Sequence, residues 1–290
     1  MPRSPRNLVI VRAGDRSLHP AWTTSLASRD WDLVVSYFGR DEQRYRGDGA
    51  RRIDDPGLKF PGLHALLSRE TFWRDYDHVW LPDDDLMIGQ DGISRLFRIV
   101  AELELQVAQP ALSWTSFYSH RITLKYPSFR ARFTDFVEIM APCFRREFLE
   151  RCLHTLGETQ SGWGLDWVWP KVLANGPMRC AILDDVEMTH TRPVGGPTYG
   201  ALRDRGISAA DEGAALMQRY GIARGQAPSV IAAIARDGRL LAAATPADVV
   251  LLRERIAHDE QLFLASRSRV ETAPVVLVMP PAERGRRWGR

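Results

Sequence analysis

The sequence predicts an α/β fold, in which a mixed, mostly parallel sheet lies between helices and a helical extension follows at the C-terminal end. The chain opens with a strand, a helix and a second strand, and short apolar runs of strand length recur as far as residue 190. Ala- and Arg-rich helical patterns replace them beyond residue 200. The order strand, helix, strand is typical of parallel sheets, because parallel strands need a crossover connection. We therefore expect a core at 1–200, a helical extension at 201–270 and a flexible basic tail at 271–290.

Apolar and β-branched runs indicate the first two strands, at 7–11 (NLVIV) and 31–38 (WDLVVSYF). Between them, 18–27 is expected to form a helix with Ser17 as its cap. The polar, Gly- and Arg-rich segment 41–57 is expected to be a surface loop.

Apolar residues at helical spacing predict two helices, at 60–73 and 92–105, around a short buried strand at 78–81 (HVWL). Pro82 ends that strand, because it has no N–H to donate to the ladder. The same criteria give the remaining elements, which in chain order are strands at 106–112 and 136–144, a helix at 146–156, a Gly/Trp loop entering a helix at 161–176, a strand from 180 to 183 that continues toward 190, a Gly/Pro-rich loop at 192–200, and helices at 209–220, 229–236 and 246–264.

Composition excludes several classes of protein. The net charge is only +3, and no Lys/Arg stripe with interleaved aromatics points to nucleic acid. The three cysteines are odd in number and have no CxxC spacing, so we expect a reduced compartment and neither a disulfide framework nor a zinc site. The apolar run at 8–11 is too short for a signal peptide, and no stretch reaches the length of a membrane span. We expect a cytoplasmic protein whose basic tail makes at most a weak contact with a membrane surface.

Three consecutive carboxylates, Asp83, Asp84 and Asp85, follow the strand at 78–81. Alternate side chains of an extended chain share a face, so Asp83 and Asp85 point one way and Asp84 the other. Two carboxylates that close repel each other unless a cation lies between them or one binds a proton. Because α/β sheets bind ligands at the carboxyl ends of their strands, the triplet indicates half of a divalent-metal site. The alternative is an acidic turn that caps the next helix.

His190 ends the run that begins at 180 and directly precedes the glycine loop. A carboxylate and imidazole site with open positions suits Mn²⁺ or Mg²⁺ carrying a diphosphate. Asp85 and His190 would be direct ligands, and Asp83 would reach the metal through water or hold the ribose. The alternative is an ordinary core or surface histidine.

Asp166 lies in GWGLDW, between Trp163 and Trp167. As a general base in a partly apolar pocket, it would have a pKa raised by burial. Trp faces also suit the apolar face of a sugar ring, so Trp163, Gly164 and Trp167 are expected to contact substrate. The alternative is that Asp166 is the N-cap of a helix that starts at Trp167.

Three further basic residues, His120, Arg121 and Lys59, are candidate phosphate or acceptor contacts, and the alternative is that they are solvated surface charges. Lys59 precedes the helix that leads to the carboxylate strand, so it could fold back over the sheet edge. Nucleophilic catalysis has little support, because no GxSxG elbow occurs and the cysteines have no activating partner. A dinucleotide site is disfavoured because RAGDRS, and not GxGxxG, follows the first strand, and a Walker motif is absent.

Taken together, these residues resemble the nucleotide-sugar glycosyltransferases of the GT-A fold, which carry a DxD motif at the end of a core strand and often a late histidine before a mobile loop. More closely, the chain resembles a family of glycosyltransferase-like proteins defined by a domain of uncharacterised function. The matching phrases span about residues 7–200 and are, in order, YDHVWLPDDDL, SHRITLK, FVEIMAP, SGWGLDW and ILDDVEMTH.

The resemblance implies Mn²⁺- or Mg²⁺-dependent transfer of a sugar from a nucleoside diphosphate sugar, with UDP preferred, to a hydroxyl acceptor. That acceptor would be a glycan, a lipid-linked molecule or a small molecule. It implies inversion at the anomeric carbon if Asp166 is the base, and closure of 192–200 over the donor. The expected nucleotide contacts are Val11, Arg12, Asp15, Lys59, Asp83 and Asp84.

Two other functions stay open at this point. A non-catalytic nucleotide- or carbohydrate-binding protein would keep the core without the chemistry. A sugar-phosphate nucleotidyltransferase shares the fold and metal, but usually has a Gly-rich loop and a lysine after the first strand, which RAGDRS matches poorly.

Overall fold

The computed structural model describes residues 6–47, 49–172, 176, 178–195, 197–223, 225–242 and 245–268. Over these residues the strands are β1 Asn7–Ala13, β2 Asp32–Tyr37, β3 Arg51–Asp54, β4 His78–Trp80, β5 Leu86–Met87, β6 Val107–Leu112, β7 Phe129–Thr134, β8 Cys143–Arg145, β9 Cys180–His190, β10 Val230–Ala235 and β11 Leu240–Ala242. The α-helices are α1 Lys59–Arg69, α2 Gln90–Glu102, α3 Arg146–Leu156, α4 Leu165–Val172, α5 Pro197–Asp204, α6 Ala209–Arg219 and α7 Pro246–Ser268.

The strands form one mixed sheet in the order β11-β10-β7-β9-β6-β8-β4-β1-β2-β3, and β5 pairs with β9 off this path. Strands β3, β2, β1 and β4 are parallel, as are β6 and β9, and the remaining pairs are antiparallel. Within β6, Pro110 lies at a register irregularity, where a missing ladder donor is tolerated. The predicted mixed α/β fold is confirmed.

Both faces of the sheet are buried against helices. Successive side chains of a strand point to opposite faces, so neighbouring residues pack in different clusters. In β1, Val9 packs in the cluster that contains Ile93 of α2. Its neighbour Leu8 packs in the opposite cluster, with Leu63 of α1 and Phe148 of α3. The sheet therefore lies between two layers of helices.

The helix expected at 18–27 is wrong. Two separate 3₁₀ turns, His19–Trp22 and Leu26–Ser28, occupy this region. Between them the Thr24 and Ser25 amides both donate to Gln90 Oε1, at 2.9 and 3.0 Å. Because these amides are satisfied by a side chain of α2, the chain gains nothing from continuing as a helix.

Two more expectations in the core need correction. Segment 41–57 is not all loop, since β3 lies within it and adds a charged edge strand beside β2. Segment 136–144 is strand only at its end, in β8, because its backbone instead bonds to the loops that carry the carboxylates. Strand β7, just before it, was not predicted.

The extension at 201–270 is helical only in part. Residues 229–236 form β10 and not a helix, and β10 pairs with β7 of the core sheet. The β-branched side chains of Val230, Ile231 and Ile234 favour a strand, and Asp237-Gly238 turns it into β11. Helix α7 then packs over this hairpin.

The helices predicted at 146–156, 209–220 and 246–264 are confirmed as α3, α6 and α7. None of the helices in the described ranges is both long and apolar enough to cross a membrane. The expected basic tail at 271–290 lies outside the described residues.

Candidate active site

The acidic loop begins where β4 ends, because Pro82 cannot extend the ladder. The Leu81 amide donates to Pro142 O at 2.9 Å, and the Asp83 amide donates to Met140 O at 2.8 Å. The triplet therefore lies at the carboxyl end of β4, which is a central strand between β1 and β8. This is the edge at which α/β sheets bind ligands.

Asp83 is paired with Lys59, the first residue of α1. Lys59 Nζ lies 2.6 Å from Asp83 Oδ1 and donates to Ile139 O at 2.8 Å. Lys59 therefore folds back over the sheet edge as the sequence indicates, and it is not a solvated surface charge. The ammonium group partly neutralises the charge of Asp83. A metal contact by Asp83 stays a prediction.

Asp84 joins three loops. Its Oδ2 accepts from the Gly14 amide at 2.8 Å, and its Oδ1 lies 3.1 Å from the guanidinium of Arg192. Arg192 also donates to Arg16 O, and the Leu18 amide donates to Asp84 O at 2.7 Å. Both carboxylate oxygens of Asp84 thus hold neighbouring loops together, and a nucleotide contact by this side chain stays a prediction.

Asp85 and His190 face each other, with His190 Nε2 3.4 Å from Asp85 Oδ2. The pairing of β5 with β9 brings them together, because it places Leu86 opposite His190. The other ring nitrogen, Nδ1, donates to Phe117 O at 2.9 Å, and this bond fixes the orientation of the imidazole. Thr191 donates to Asp85 O from its amide and its hydroxyl, which holds the backbone of Asp85 in place.

The two side chains shift each other's pKa in opposite directions. Burial alone would lower the pKa of His190, but the Asp85 carboxylate outweighs it and raises the pKa of His190 to about 9. Burial alone would raise the pKa of Asp85, and the hydrogen bond and charge of His190 reverse this and lower it. The metal-free site is therefore an ion pair at neutral pH.

The Asp85–His190 pair fits two ligands of one divalent cation. Adjacent ligands of an octahedral ion with bonds of about 2.1 Å lie about 3 Å apart, close to the observed 3.4 Å. Asp85 Oδ1 is buried and has no hydrogen-bond partner among the described residues, so it has a lone pair available beside the same position. No set of three or more His, Cys, Asp or Glu side chains that could hold a metal occurs in the described ranges. Two protein ligands suffice where a diphosphate and water complete the shell.

Asp166 lies in the first turn of α4, which begins at Leu165. The alternative, that Asp166 is the N-cap of a helix starting at Trp167, does not hold, because the helix begins two residues earlier. Its side chain is only 8% exposed, its Oδ1 has no hydrogen-bond partner in the described part of the chain, and burial raises the pKa of Asp166 to about 7. A carboxylate with this pKa is half ionised at neutral pH, which suits a general base.

Glu138 is a second buried acid that the sequence analysis missed. It is 6% exposed, and its Oε2 has no hydrogen-bond partner within the described ranges. Burial raises the pKa of Glu138 to about 8. The charge of His190 and a hydrogen bond from Ser119 oppose this rise, and the charges of Asp166 and Asp83 add to it. These interactions place Glu138 near both the metal-ligand pair and Asp166. In the sequence, the feature that could have identified Glu138 is a single acid within the otherwise apolar segment FVEIMAP.

Trp163 and Tyr199 form an aromatic contact at the entrance to α4. Trp163 Nε1 donates to Tyr199 OH at 2.6 Å, and Tyr199 belongs to α5, which occupies the end of the predicted loop at 192–200. Gly164 has φ +94°, and a Cβ there would lie 3.0 Å from Gly213 O of α6. Trp167 is 8% exposed and packs edge-on against a phenylalanine. Substrate contacts by these residues stay predictions, and Trp163 is the more accessible of the two tryptophans.

His120 packs against Phe136, with ring centroids 4.7 Å apart, and burial lowers its pKa. Phe136 in turn packs against Trp167, so His120 continues the aromatic layer behind α4. Arg121 is exposed at the start of a short 3₁₀ turn. A phosphate or acceptor contact by either residue stays a prediction.

The nucleotide contacts predicted at the end of β1 stay predictions. The Val11 side chain is fully buried. Arg12 is 3% exposed, and its guanidinium is bound by Asp55 at 2.5 Å and by Ser36 at 2.8 Å. Asp15 accepts a hydrogen bond from the hydroxyl of Tyr37, and its nucleotide contact stays a prediction.

No protein-family model and no curated protein matches the chain, so the closer resemblance to an uncharacterised-domain family stays a prediction. Among solved structures, the chain is similar to TarS 1–349 of S. aureus in complex with UDP-GlcNAc, with a TM-score of 0.52 and 12% identity. The alignment covers 75% of this chain and 65% of that one, so the chain spans less than two thirds of its length.

Two further structures are similar at lower scores. The mannosyltransferase PcManGT from Pyrobaculum calidifontis, in complex with GDP-Man and Mn²⁺, has a TM-score of 0.49 at 18% identity over 94% of this chain and 78% of that one. Glucosyl-3-phosphoglycerate synthase from Mycobacterium tuberculosis, in complex with Mn²⁺, UDP-Glc and phosphoglyceric acid, has a TM-score of 0.45 at 15% identity over 76% and 81%. The similarity to TarS 1–349, together with the mixed α/β sheet, shows the GT-A fold that the sequence predicts.

Proposed function

We propose that this chain is a metal-dependent glycosyltransferase, which moves a sugar from a nucleoside diphosphate sugar to a hydroxyl acceptor. The observation that carries the proposal is the 3.4 Å approach of His190 Nε2 to Asp85 Oδ2 at the carboxyl edge of a GT-A sheet. The acceptor would be a glycan, a lipid-linked molecule or a small molecule, and UDP is the preferred nucleotide.

Asp85 and His190 would hold Mn²⁺ or Mg²⁺. When bound, such a cation supplies positive charge against the negative charge that builds on the leaving diphosphate, which lowers the barrier by several kcal/mol. Lys59 holds Asp83 at 2.6 Å and adds a second positive charge beside the site. The Phe117 carbonyl keeps the imidazole turned toward Asp85.

Asp166 would act as the general base. Its carboxylate accepts the proton of the acceptor hydroxyl as the acceptor oxygen bonds to the anomeric carbon. The bond from that carbon to the diphosphate oxygen breaks, and its electron pair leaves with the diphosphate. A single base and a direct attack imply inversion, and a positioned base contributes on the order of 10²–10⁴-fold in rate.

Tyr199 and α5 would cover the donor. The contact between Trp163 Nε1 and Tyr199 OH holds α5 against the loop that precedes Asp166. A cover of this kind excludes water, which would otherwise compete with the acceptor and hydrolyse the donor.

Calorimetry with UDP, with and without Mn²⁺, followed by a donor-hydrolysis assay tests the proposal. We expect UDP binding that depends on Mn²⁺, and slow release of sugar from a nucleotide-sugar donor. Mn²⁺-dependent binding without hydrolysis or transfer for any donor would instead assign a non-catalytic binding protein. Absence of nucleotide binding would contradict both.

A further inference from the structure

The segment that carries Glu138 runs from the predicted base to the acidic triplet. At one end the Val137 amide donates to Asp166 O at 3.4 Å. At the other end Met140 O accepts from the Asp83 amide at 2.8 Å. Glu138 therefore lies on the stretch of backbone that connects the two halves of the site.

The backbone of Glu138 is firmly placed. Its amide donates to Gln109 Oε1 at 2.6 Å, and Gln109 is fully buried within β6. Its carbonyl accepts from the Ala141 amide at 3.3 Å, and the next residue, Ile139, accepts from Lys59 Nζ at 2.8 Å. A side chain anchored in this way can hold a ligand atom at a fixed position.

The side chain of Glu138 has unused hydrogen-bonding capacity. Its Oε2 is buried and has no hydrogen-bond partner among the residues that the structure describes, although buried polar atoms in folded proteins nearly always have one. Leaving a carboxylate oxygen unpaired costs stability, so a residue that keeps one is a candidate for ligand binding. The groups that act on the Glu138 carboxyl are His190 and Asp83 toward the triplet, Asp166 toward the base, and Ser119, which hydrogen-bonds to it and leaves Oε2 unpaired.

We propose that Glu138 binds a hydroxyl group of the transferred sugar through Oε2, the unpaired oxygen of its carboxyl group. The inference rests on the proposed function, because it uses the order of groups that such a reaction requires. The diphosphate lies at the metal end and the acceptor hydroxyl at the base, so the sugar ring lies between them. Glu138 is the buried acid between those two ends, and it would select donors by the hydroxyl it contacts.

This role can be tested with two variants, Glu138→Gln and Glu138→Ala. The matched control is Glu104→Gln. Glu104 is exposed and pairs only with Arg179 in the part of the chain that is described, so its substitution removes a carboxylate without touching the site. Calorimetry in Mn²⁺ would give the affinities of each protein for UDP and for four donors: UDP-glucose, UDP-galactose, UDP-N-acetylglucosamine and GDP-mannose.

We expect UDP affinity to be unchanged in all variants. For the donor that the wild-type protein binds best, Glu138→Ala should lower the ratio of donor to UDP affinity about ten- to one-hundredfold. Glu138→Gln keeps one carbonyl acceptor and should lose less. Among deoxy analogues of that donor, one should weaken binding to the wild type but not to Glu138→Ala.

Three outcomes would overturn the inference in distinguishable ways. An unchanged ratio in Glu138→Ala would remove the sugar contact and leave the proposed function standing. An equal loss for UDP and donor, with a lower melting temperature, would show that Glu138 is only structural. Failure of the wild-type protein to bind UDP or any of the four donors would overturn the proposed function, and this inference with it.

Discussion

His190 Nε2 lies 3.4 Å from Asp85 Oδ2, although the two residues are far apart in the sequence. The short pairing of β5 with β9 produces this approach, and the Phe117 carbonyl fixes the ring. In the absence of metal the two groups form an ion pair, so a cation and a proton compete for His190. That competition gives a pH dependence that can be measured.

The affinity of the protein for Mn²⁺ should rise with pH. The pKa of His190 is raised to about 9 by Asp85 despite the opposing effect of burial, and a metal binds only the deprotonated ring nitrogen. Below pH 9 the affinity should therefore increase about tenfold per pH unit, with release of one proton per Mn²⁺. Calorimetry at pH 6, 7 and 8, in buffers of different ionisation enthalpy, measures both quantities. Affinity that is constant across this range would show that His190 does not bind the metal.

Replacement of Asp166 by Asn should remove transfer without removing donor binding. The amide cannot accept the acceptor proton, so kcat should fall on the order of 10²–10⁴-fold while the affinity for UDP stays unchanged. Asp30→Asn is a matched control, because Asp30 is exposed and its one side-chain hydrogen bond among the described residues is with Ser94. Unchanged turnover by Asp166→Asn would refute the base assignment.

The same Asp166→Asn variant should be more stable than the wild type at pH 8. Burial raises the folded-state pKa of Asp166 to about 7 from an ordinary value near 3.8, so ionising the folded protein costs free energy. Because the unfolded chain ionises first, the wild type loses stability as the pH rises from about 4 to about 7. The difference should be absent near pH 4 and reach at most about 4 kcal/mol above pH 7. Urea unfolding at both pH values measures it, and equal stability at pH 8 would place Asp166 in contact with water.

Arg12→Ala should destabilise the fold and leave nucleotide affinity unchanged. The guanidinium is 3% exposed and pairs with Asp55 at 2.5 Å, so truncation leaves a largely buried carboxylate without its partner. Breaking such a pair costs about 3–5 kcal/mol in the free energy of unfolding. Chemical denaturation and UDP calorimetry on the folded variant separate the two effects. Loss of UDP affinity with full stability would instead support the nucleotide contact that the sequence predicts for Arg12.

The sequence predicted the elements whose patterns are local. The β4 strand, the triplet after it and helix α3 could be identified from apolar spacing and from Pro82 and Gly157, which act within a few residues. His190 could be proposed as a partner of Asp85 because both follow or end core strands. Neither inference depended on the contacts between distant segments of the chain.

The errors arose where distant contacts decide the local structure. The run at 229–236 mixes alanines, which favour a helix, with β-branched residues, which favour a strand, and its pairing with β7 makes it a strand. The apolar run at 136–144 has the length of a strand, but its amides and carbonyls bond to Asp166 and Asp83. Glu138 was missed for the same reason, because only the folded chain brings that segment between the triplet and α4.

The most direct test of the shared cation is calorimetric titration of UDP in Mn²⁺ and in EDTA. The titration compares the wild type with Asp85→Ala, His190→Ala and the control His258→Ala, in which the substituted residue is exposed. We predict that wild type and His258→Ala bind UDP at least tenfold more tightly in Mn²⁺ than in EDTA. Asp85→Ala and His190→Ala should show the same weak affinity in both conditions. A Mn²⁺-dependent gain that survives in His190→Ala would contradict the account, because the metal would then be held without the imidazole.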